Sequence, residues 1–529
     1  MLTPSPTSPR ILLKNGTLLL PKTSTPNNTH PPSPVPSHPT ATHTTIQPVR
    51  ADLLISPPRI LKIAPHIDAN DPVTADAEPG AAAMRVIDCT GKLISPGFVD
   101  THHHLWQTQL KGRHADEGLL DYFYSGNFQS SQYTPRDIFW GQLGGCLEAI
   151  DAGTTTVVDH AHLNYSTKHS SNALSATISS GIRSFFCYCP TLRNETWTPE
   201  FKVNMDLMPE WAMGQLEEWA RQQPFGEGRV RLGFAFDAFF LPKEVVQGVF
   251  EKVRSWGIKL ITTHYVRNAI QSADERAVLM DSWGLLKNDI LFSHSGQATS
   301  EDARLMKAAG AYTSATPDTE LQMAIGQCVC FRPDMQEISS LGIDCHSNNS
   351  ADILTQMRLA LQNGRALRNQ RFIDAGKVPT HISPTVEEAF NLGTIQGARA
   401  VHMEDEIGSL AEGKLADIVI FDMTTPGMVC AAEHDPVAAI VQHASVRDID
   451  TVIVNGEIRK EAGKLLPVEV DQDAAETEVA SVGWKDVAHE LLASRATLQE
   501  KIEKLDFDVA RKGVMKAFYI DEDVIVEDI

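Results

Sequence analysis

The sequence predicts an α/β protein: a (β/α)8 TIM barrel flanked by a β-sandwich built from both ends of the chain. Three observations carry this expectation. Between residues 98 and 400, eight short runs rich in β-branched and aromatic residues alternate with segments of helical length and period. On either side of that stretch lie short strand-like segments with turn signals between them. Several of the eight runs end in histidine or aspartate, as expected where a barrel carries its chemistry at the C-terminal ends of its strands.

The elements follow in order. Residues 1–97 form the N-terminal part of the sandwich. RILLKNGTLLL (10–20) predicts two short strands around an Asn15-Gly16 turn, and strand-like segments recur at 53–63 and 85–89. Between them, positions 21–50 hold eight prolines among Ser, Thr and His and offer little to bury, so a disordered insert is expected there. The barrel strands are expected at 98–100, 154–159, 184–189, 230–236, 259–264, 290–293, 311–314 and 341–344. Helices are expected between them, such as 243–256, and 300–309 with Thr299 as N-cap. Strands return within 401–466, at 416–421 and 451–454, with Asn455-Gly456 as a hairpin turn. Residues 467–529 form an acidic extension, helical over 487–505.

Composition bounds the function. The 529 residues are 42% hydrophobic and 21% charged, the balance of a globular protein. A net charge of −21 repels phosphate backbones and anionic lipid, so neither nucleic acid nor membrane is an expected partner. No apolar run has the length of a membrane span, and MLTPSPTSPR does not read as a signal peptide. Eight cysteines are too sparse for a disulfide framework. The expectation is a cytoplasmic enzyme acting on a small molecule, as a homo-oligomer, a dimer.

The strand ends carry the chemistry. The first closes with Asp100-Thr-His102-His103-His104, the second with Asp159-His160-Ala-His162, the fifth with His264, the sixth with His294 and the eighth with Asp344. His102 and His104 are two apart and share one side of a strand, so both imidazoles can face one cation; His103 points the other way. Histidine nitrogens with one carboxylate suit one divalent ion, zinc first, with iron or manganese as alternatives.

Several motifs carry a family resemblance: PGFVDTHHHLWQTQLKG (96–112), TTHYV (262–266), FSHSG (292–296), GIDCHSNNSADIL (342–354), IGSLAEGKLADIVIFD (407–422) and TVIVNGEI (451–458). Together they resemble the amidohydrolase superfamily, in the branch containing atrazine chlorohydrolase, guanine deaminase, cytosine deaminase and S-adenosylhomocysteine deaminase. The resemblance implies metal ligands His102, His104, His264 and Asp344. Asp344 would double as base, and His294 would steer the attacking water or the substrate. No lysine ends the fourth strand, where two-metal members place a carbamylated one, so a single ion is implied; that strand closes with Phe236-Asp237-Ala238.

One position departs from the branch. Its deaminases carry glutamate three residues after the strand-five histidine, and here that residue is Arg267. Such an acid contributes roughly 10²–10⁴-fold, and a guanidinium cannot replace it near neutral pH. Glu320 is a candidate substitute; its alternative is a plain carboxylate on the rim. Arg267 itself either holds an anionic substrate group or pairs with a rim carboxylate. His160 is a candidate substrate contact or a hydrogen-bonded rim histidine, and Trp106 either packs beside the pocket or stacks on a substrate ring. The expected reaction is metal-dependent hydrolysis of a non-peptide carbon–nitrogen bond, deamination of a cyclic amidine or aminoheterocycle. Ring amide or lactam hydrolysis, displacement of another leaving group and decarboxylation are the enzymatic alternatives, and a catalytically dead scaffold is the non-enzymatic one.

Overall fold

The computed structural model describes residues 9–22, 44–68, 83–271 and 274–526. Eight parallel strands close into a barrel: β6 (Phe98–His103), β7 (Thr154–Ala161), β8 (Arg183–Tyr188), β11 (Val230–Ala235), β12 (Ile261–Tyr265), β13 (Ile290–His294), β14 (Tyr312–Ala315) and β15 (Ser339–Leu341). Between β8 and β11, a small hairpin of β9 (Arg193–Thr196) and β10 (Lys202–Asn204) lies outside the barrel. Closure comes from the segment after β15, where the amides of Ile343 and Asp344 both donate to the His102 carbonyl, at 3.0 and 2.8 Å. The eighth strand therefore ends earlier than the sequence suggests. A Cβ at Gly342 would stand 2.8 Å from the backbone N and O of His102, so only glycine allows this approach. Asp344 then sits beyond the strand with φ 67°.

The helices form where period and caps agree. Helix Lys243–Ser255 buries Val246, Val249, Phe250 and Val253, one stripe of a 3.6-residue repeat. Helix Ser300–Ala309 starts on the expected Thr299 cap: Asp302 N donates to the Thr299 hydroxyl, the Asp302 carboxylate accepts from Thr299 N, and Gly310 ends the helix at φ 71°.

The flanking element is one nine-stranded sheet assembled from both ends of the chain. Its order is β19 (Lys464–Leu465), β18 (Glu457–Glu461), β17 (Ile449–Val454), β16 (Ile418–Asp422), β5 (Lys92–Pro96), β1 (Ile11–Pro21), β2 (Ile46–Ser56) and β3 (Arg59–Ala64), with β4 (Arg85–Asp88) also on β1. Two expectations change here. Residues 10–20 form one strand rather than two: Asn15 takes φ 62°, and the pairing with β2 slips between Leu13 and Gly16, a bulge rather than a turn. The Pro-rich insert is also shorter than 21–50, because β2 begins at Ile46 and pairs back to Pro21. Pro48 is tolerated there opposite Leu19, and positions 23–43 lie outside the described residues. A buried, bidentate Arg183–Asp417 pair at 2.8 and 3.1 Å joins barrel to sheet.

The C-terminal extension packs against the segment that follows β6. Helix Trp484–Ile502 places Leu498 and Ile502 in the same core as Trp106 and Tyr133. Ser494 Oγ donates to Asp137 and accepts from Gln109, at 2.6 and 3.1 Å. Helix Phe507–Ala517 continues over helix Leu119–Ser125, and the following Phe518 stacks on Phe123 at 5.0 Å between centroids. Among the described residues, no helix is long and apolar enough to cross a membrane.

Candidate active site

The barrel brings the predicted residues from strands one, five, six and eight to one point. One ligand atom each from His102, His264, His294 and Asp344 lies within 4.8 Å of the others. His102 Nε2 and His104 Nε2 both stand 3.1 Å from Asp344 Oδ1, and His264 Nε2 stands 3.4 Å from His104 Nε2. His103, pointing away as its place in the strand requires, lies between Asp100 Oδ2 at 2.7 Å and His346 Nδ1 at 2.9 Å.

Each of the four imidazoles is held from behind through Nδ1. The partners are Ser293 Oγ for His102 at 2.8 Å, the His160 carbonyl for His104 at 2.9 Å, Asp237 Oδ2 for His264 at 2.8 Å and Thr316 Oγ1 for His294 at 2.8 Å. A carbonyl or carboxylate at Nδ1 keeps the proton on that nitrogen and leaves the Nε2 lone pair facing inward, the orientation that metal-binding histidines require. The strand ends carry strain as well: His294 and Asp344 adopt φ 75° and 67° without being glycine, a cost that persists where surrounding structure over-determines the conformation.

The electrostatics suit a cation. Burial holds His102 well below the ordinary histidine range, and the same cause pushes His294 down to about 4, so both are neutral at physiological pH. Burial alone would raise the Asp344 carboxyl. The imidazoles around it, His294 foremost, and the contacts from His102 and His104 outweigh that and keep it ionised. His264 differs: burial lowers it, but the Asp237 and Asp344 carboxylates together outweigh that and raise it, so an ion bound there would displace a proton. Imidazole nitrogens and one ionised carboxylate, all converging, are the donor set of a divalent-ion centre.

The amidohydrolase family profile matches residues 93–459, more than half of the chain. The chain belongs to the amidohydrolase family. Among its relatives, the 5-methylthioadenosine/S-adenosylhomocysteine deaminase of Thermococcus kodakarensis is 26% identical over 433 residues, covering 78% of this chain and 89% of that one. The 5'-deoxyadenosine deaminase of Methanobrevibacter smithii is 26% identical over 443 residues, covering 80% and 91%. An adenosine deaminase from Xanthomonas campestris with bound zinc shares the fold, with TM-score 0.69, 18% identity, and coverage of 95% of this chain and all of that one. Atrazine chlorohydrolase from Arthrobacter aurescens, complexed with zinc, shares it with TM-score 0.69 at 16% identity over 92% of this chain and 100% of that one.

The remaining predicted residues of this amidohydrolase separate by position. Glu320 is fully buried rather than a rim carboxylate: its Oε1 accepts from Thr316 N at 2.8 Å and lies 3.9 Å from His294 Nδ1. Burial, with Cys328 beside it, pushes Glu320 well above the carboxylate range and so favours its protonated form. Arg267 lies at the rim, 37% exposed, with Nη1 3.6 Å from Glu275. Trp106 is fully buried, edge-on to Tyr133 at 5.1 Å and to His162 at 5.7 Å. His160 is also fully buried, its ring 4.3 Å from that of His264.

Sequence reasoning passed over Asp237, Ser293, Thr316 and His346. Asp237 had a signal, since an aspartate at a strand end is a site candidate by the same logic that selected Asp344. Ser293 and Thr316 act through a single hydrogen bond each across neighbouring strands, which no spacing along the chain reveals.

Proposed function

We propose that this amidohydrolase is a zinc-dependent deaminase that exchanges an exocyclic amino group of a 6-aminopurine nucleoside or related aminoheterocycle for oxygen. The observation that carries this is the convergence of three Nε2 atoms and an ionised carboxylate, each imidazole locked by its own partner. His102, His104, His264 and Asp344 would hold one zinc ion, which when bound lowers the pKa of water to about 7. Asp344 accepts the proton that the attacking water loses and passes it to the leaving amine. His294, neutral and fixed by Thr316, orients the water and the reacting carbon. Glu320, protonated behind His294, stands in for the acid absent at Arg267 and favours the ring-protonated state. The adenosine-type deaminases among the relatives support the substrate class.

The same reading divides the chain into a catalytic barrel over 98–400, a flanking sheet from 1–97 and 401–466, and an extension over 467–529. It places the enzyme in the cytoplasm as a homodimer. Eight cysteines, all without a disulfide, support a reducing compartment; gel filtration with light scattering tests the dimer.

An ammonia-release screen tests the reaction, with zinc-loaded protein against adenosine, 5-methylthioadenosine, S-adenosylhomocysteine, pterins, aminopyrimidines and triazines. Release from a purine nucleoside is expected, with activity and bound zinc lost together in His264→Ala. Stoichiometric zinc with no ammonia from any of these compounds would sink the proposal. A second reading rests on Arg267: hydrolysis of a ring amide, or displacement of another leaving group, needs no ring protonation. It predicts turnover without ammonia, and a KM for an anionic substrate that rises roughly tenfold or more in Arg267→Met, from loss of a charge-assisted pair. The Glu275 contact favours the first reading, under which that KM stays within a few-fold.

A further inference from the structure

A second group of donors stands beside the primary cluster; only one of its members, Asp237, has a part in the site described above, as the partner of His264. His160 ends β7, Cys189 follows β8 and Asp237 follows β11, and one ligand atom from each lies within 4.8 Å of the others. His160 is fully buried, yet neither ring nitrogen makes a hydrogen bond of good geometry, and its Nε2 stands 3.1 Å from Asp237 Oδ2. Nε2 thus has only that carboxylate beside it and Nδ1 has no hydrogen bond; native interiors rarely leave a buried imidazole so poorly satisfied, so the group calls for a further partner. The Cys189 thiol donates to the neighbouring Pro190 carbonyl, at 3.4 Å. Asp237 is 38% exposed at its side chain, which leaves the group reachable from solvent.

The donor types narrow the ligand. One imidazole, one thiol and one carboxylate, contributed by three adjacent barrel strands, suit a borderline-soft divalent ion; magnesium and calcium would avoid the sulfur and nitrogen. We infer that His160, Cys189 and Asp237 form a second divalent-cation site of the zinc type, joined to the primary centre through the Asp237–His264 hydrogen bond. Binding exchanges the Cys189 thiol proton, released to solvent, for the metal–sulfur bond, and solvent fills the fourth position. The Asp237 Oδ2 that accepts from His264 Nδ1 at 2.8 Å is then shared between the two sites, so filling the second weakens the hold on His264 in the first.

Cobalt(II) alone, titrated into metal-free full-length protein, tests this. Two equivalents are expected, the second bringing thiolate-to-cobalt charge-transfer absorption in the near ultraviolet. Cys189→Ser should remove that absorption and one equivalent. Cys345→Ser and Cys430→Ser should leave both, which excludes the thiol at the primary centre and the exposed one. His160→Gln should weaken the second equivalent tenfold or more and leave the first in place. A single equivalent in the wild-type protein, two equivalents without thiolate absorption, or absorption that survives Cys189→Ser would each overturn the inference. The wild-type titration decides even where a variant fails to fold.

Discussion

Replacing Ser293 with alanine tests whether the site is built by orientation as well as by ligand identity. Ser293 Oγ lies 2.8 Å from His102 Nδ1, and both residues are fully buried. Removing one oxygen opens almost no space, so the effect is that of a lost hydrogen bond. Two consequences follow from the geometry. In metal-free protein the Nδ1–H is left buried without an acceptor, which costs about 1–3 kcal/mol. The imidazole is also free to carry its proton on Nε2, where Asp344 Oδ1 at 3.1 Å accepts it. That tautomer presents a hydrogen to the cation in place of a lone pair. Loss of such outer support lowers metal affinity by about 10–100-fold, or about 1.4–2.7 kcal/mol. Competition with a chromophoric zinc chelator measures the affinity, and urea unfolding in excess chelator measures the metal-free stability. Affinity within twofold of wild type together with an unchanged urea midpoint would refute the argument that Ser293 holds His102 in its ligating orientation.

Three further outcomes are expected. His294→Asn should keep near-full zinc occupancy by elemental analysis and lose roughly 10²–10⁴-fold in kcat; parallel loss of metal would make His294 a ligand. Glu320 is protonated when folded and ionised when unfolded above its ordinary value of 4.5, so it makes stability fall as pH rises above that value. Glu320→Gln should therefore flatten the decline of the urea midpoint above pH 4.5, without destabilising the fold at neutral pH, while kcat drops; an unchanged pH slope would show the carboxyl to be ionised. Deleting 23–43 should leave turnover and melting temperature unaltered, whereas extending the deletion to 48 removes the Pro21–Ile46 to Leu19–Pro48 pairing and the Ile46 N to Glu387 hydrogen bond at 2.5 Å. Equal behaviour of the two deletions in thermal melts would contradict the strand assignment.

The candidate site is unevenly legible in the chain. His102, His104, His264, His294 and Asp344 were legible because each ends a strand-like run, and strand ends of one polarity meet at one mouth. Glu320 was legible as a residue but not as a buried acid. Its environment comes from helix Pro317–Gln322 folding over Thr316 and from Cys328, contacts that lie outside any periodic pattern. Arg267 was legible as a departure from the family, but its pairing with Glu275 depends on the path of the loop after β12.

Alternation of short β-branched runs with helical segments determined the barrel by itself, because hydrophobic period is a local property set by which face each residue must bury. The same locality determined the Thr299 cap and the two-residue spacing that puts His102 and His104 on one side. Only the tertiary structure decided what lies behind each imidazole, that the chain crosses so close to His102 at Gly342, and that Asn15 marks a bulge within one strand instead of a turn between two. It also decided that the C-terminal helices brace the segment after β6. Those features join residues as far apart as Asp137 and Ser494, 357 positions along the chain. Such contacts are selected by the shape and polarity of packed surfaces, and a linear sequence carries no local record of which surfaces will meet.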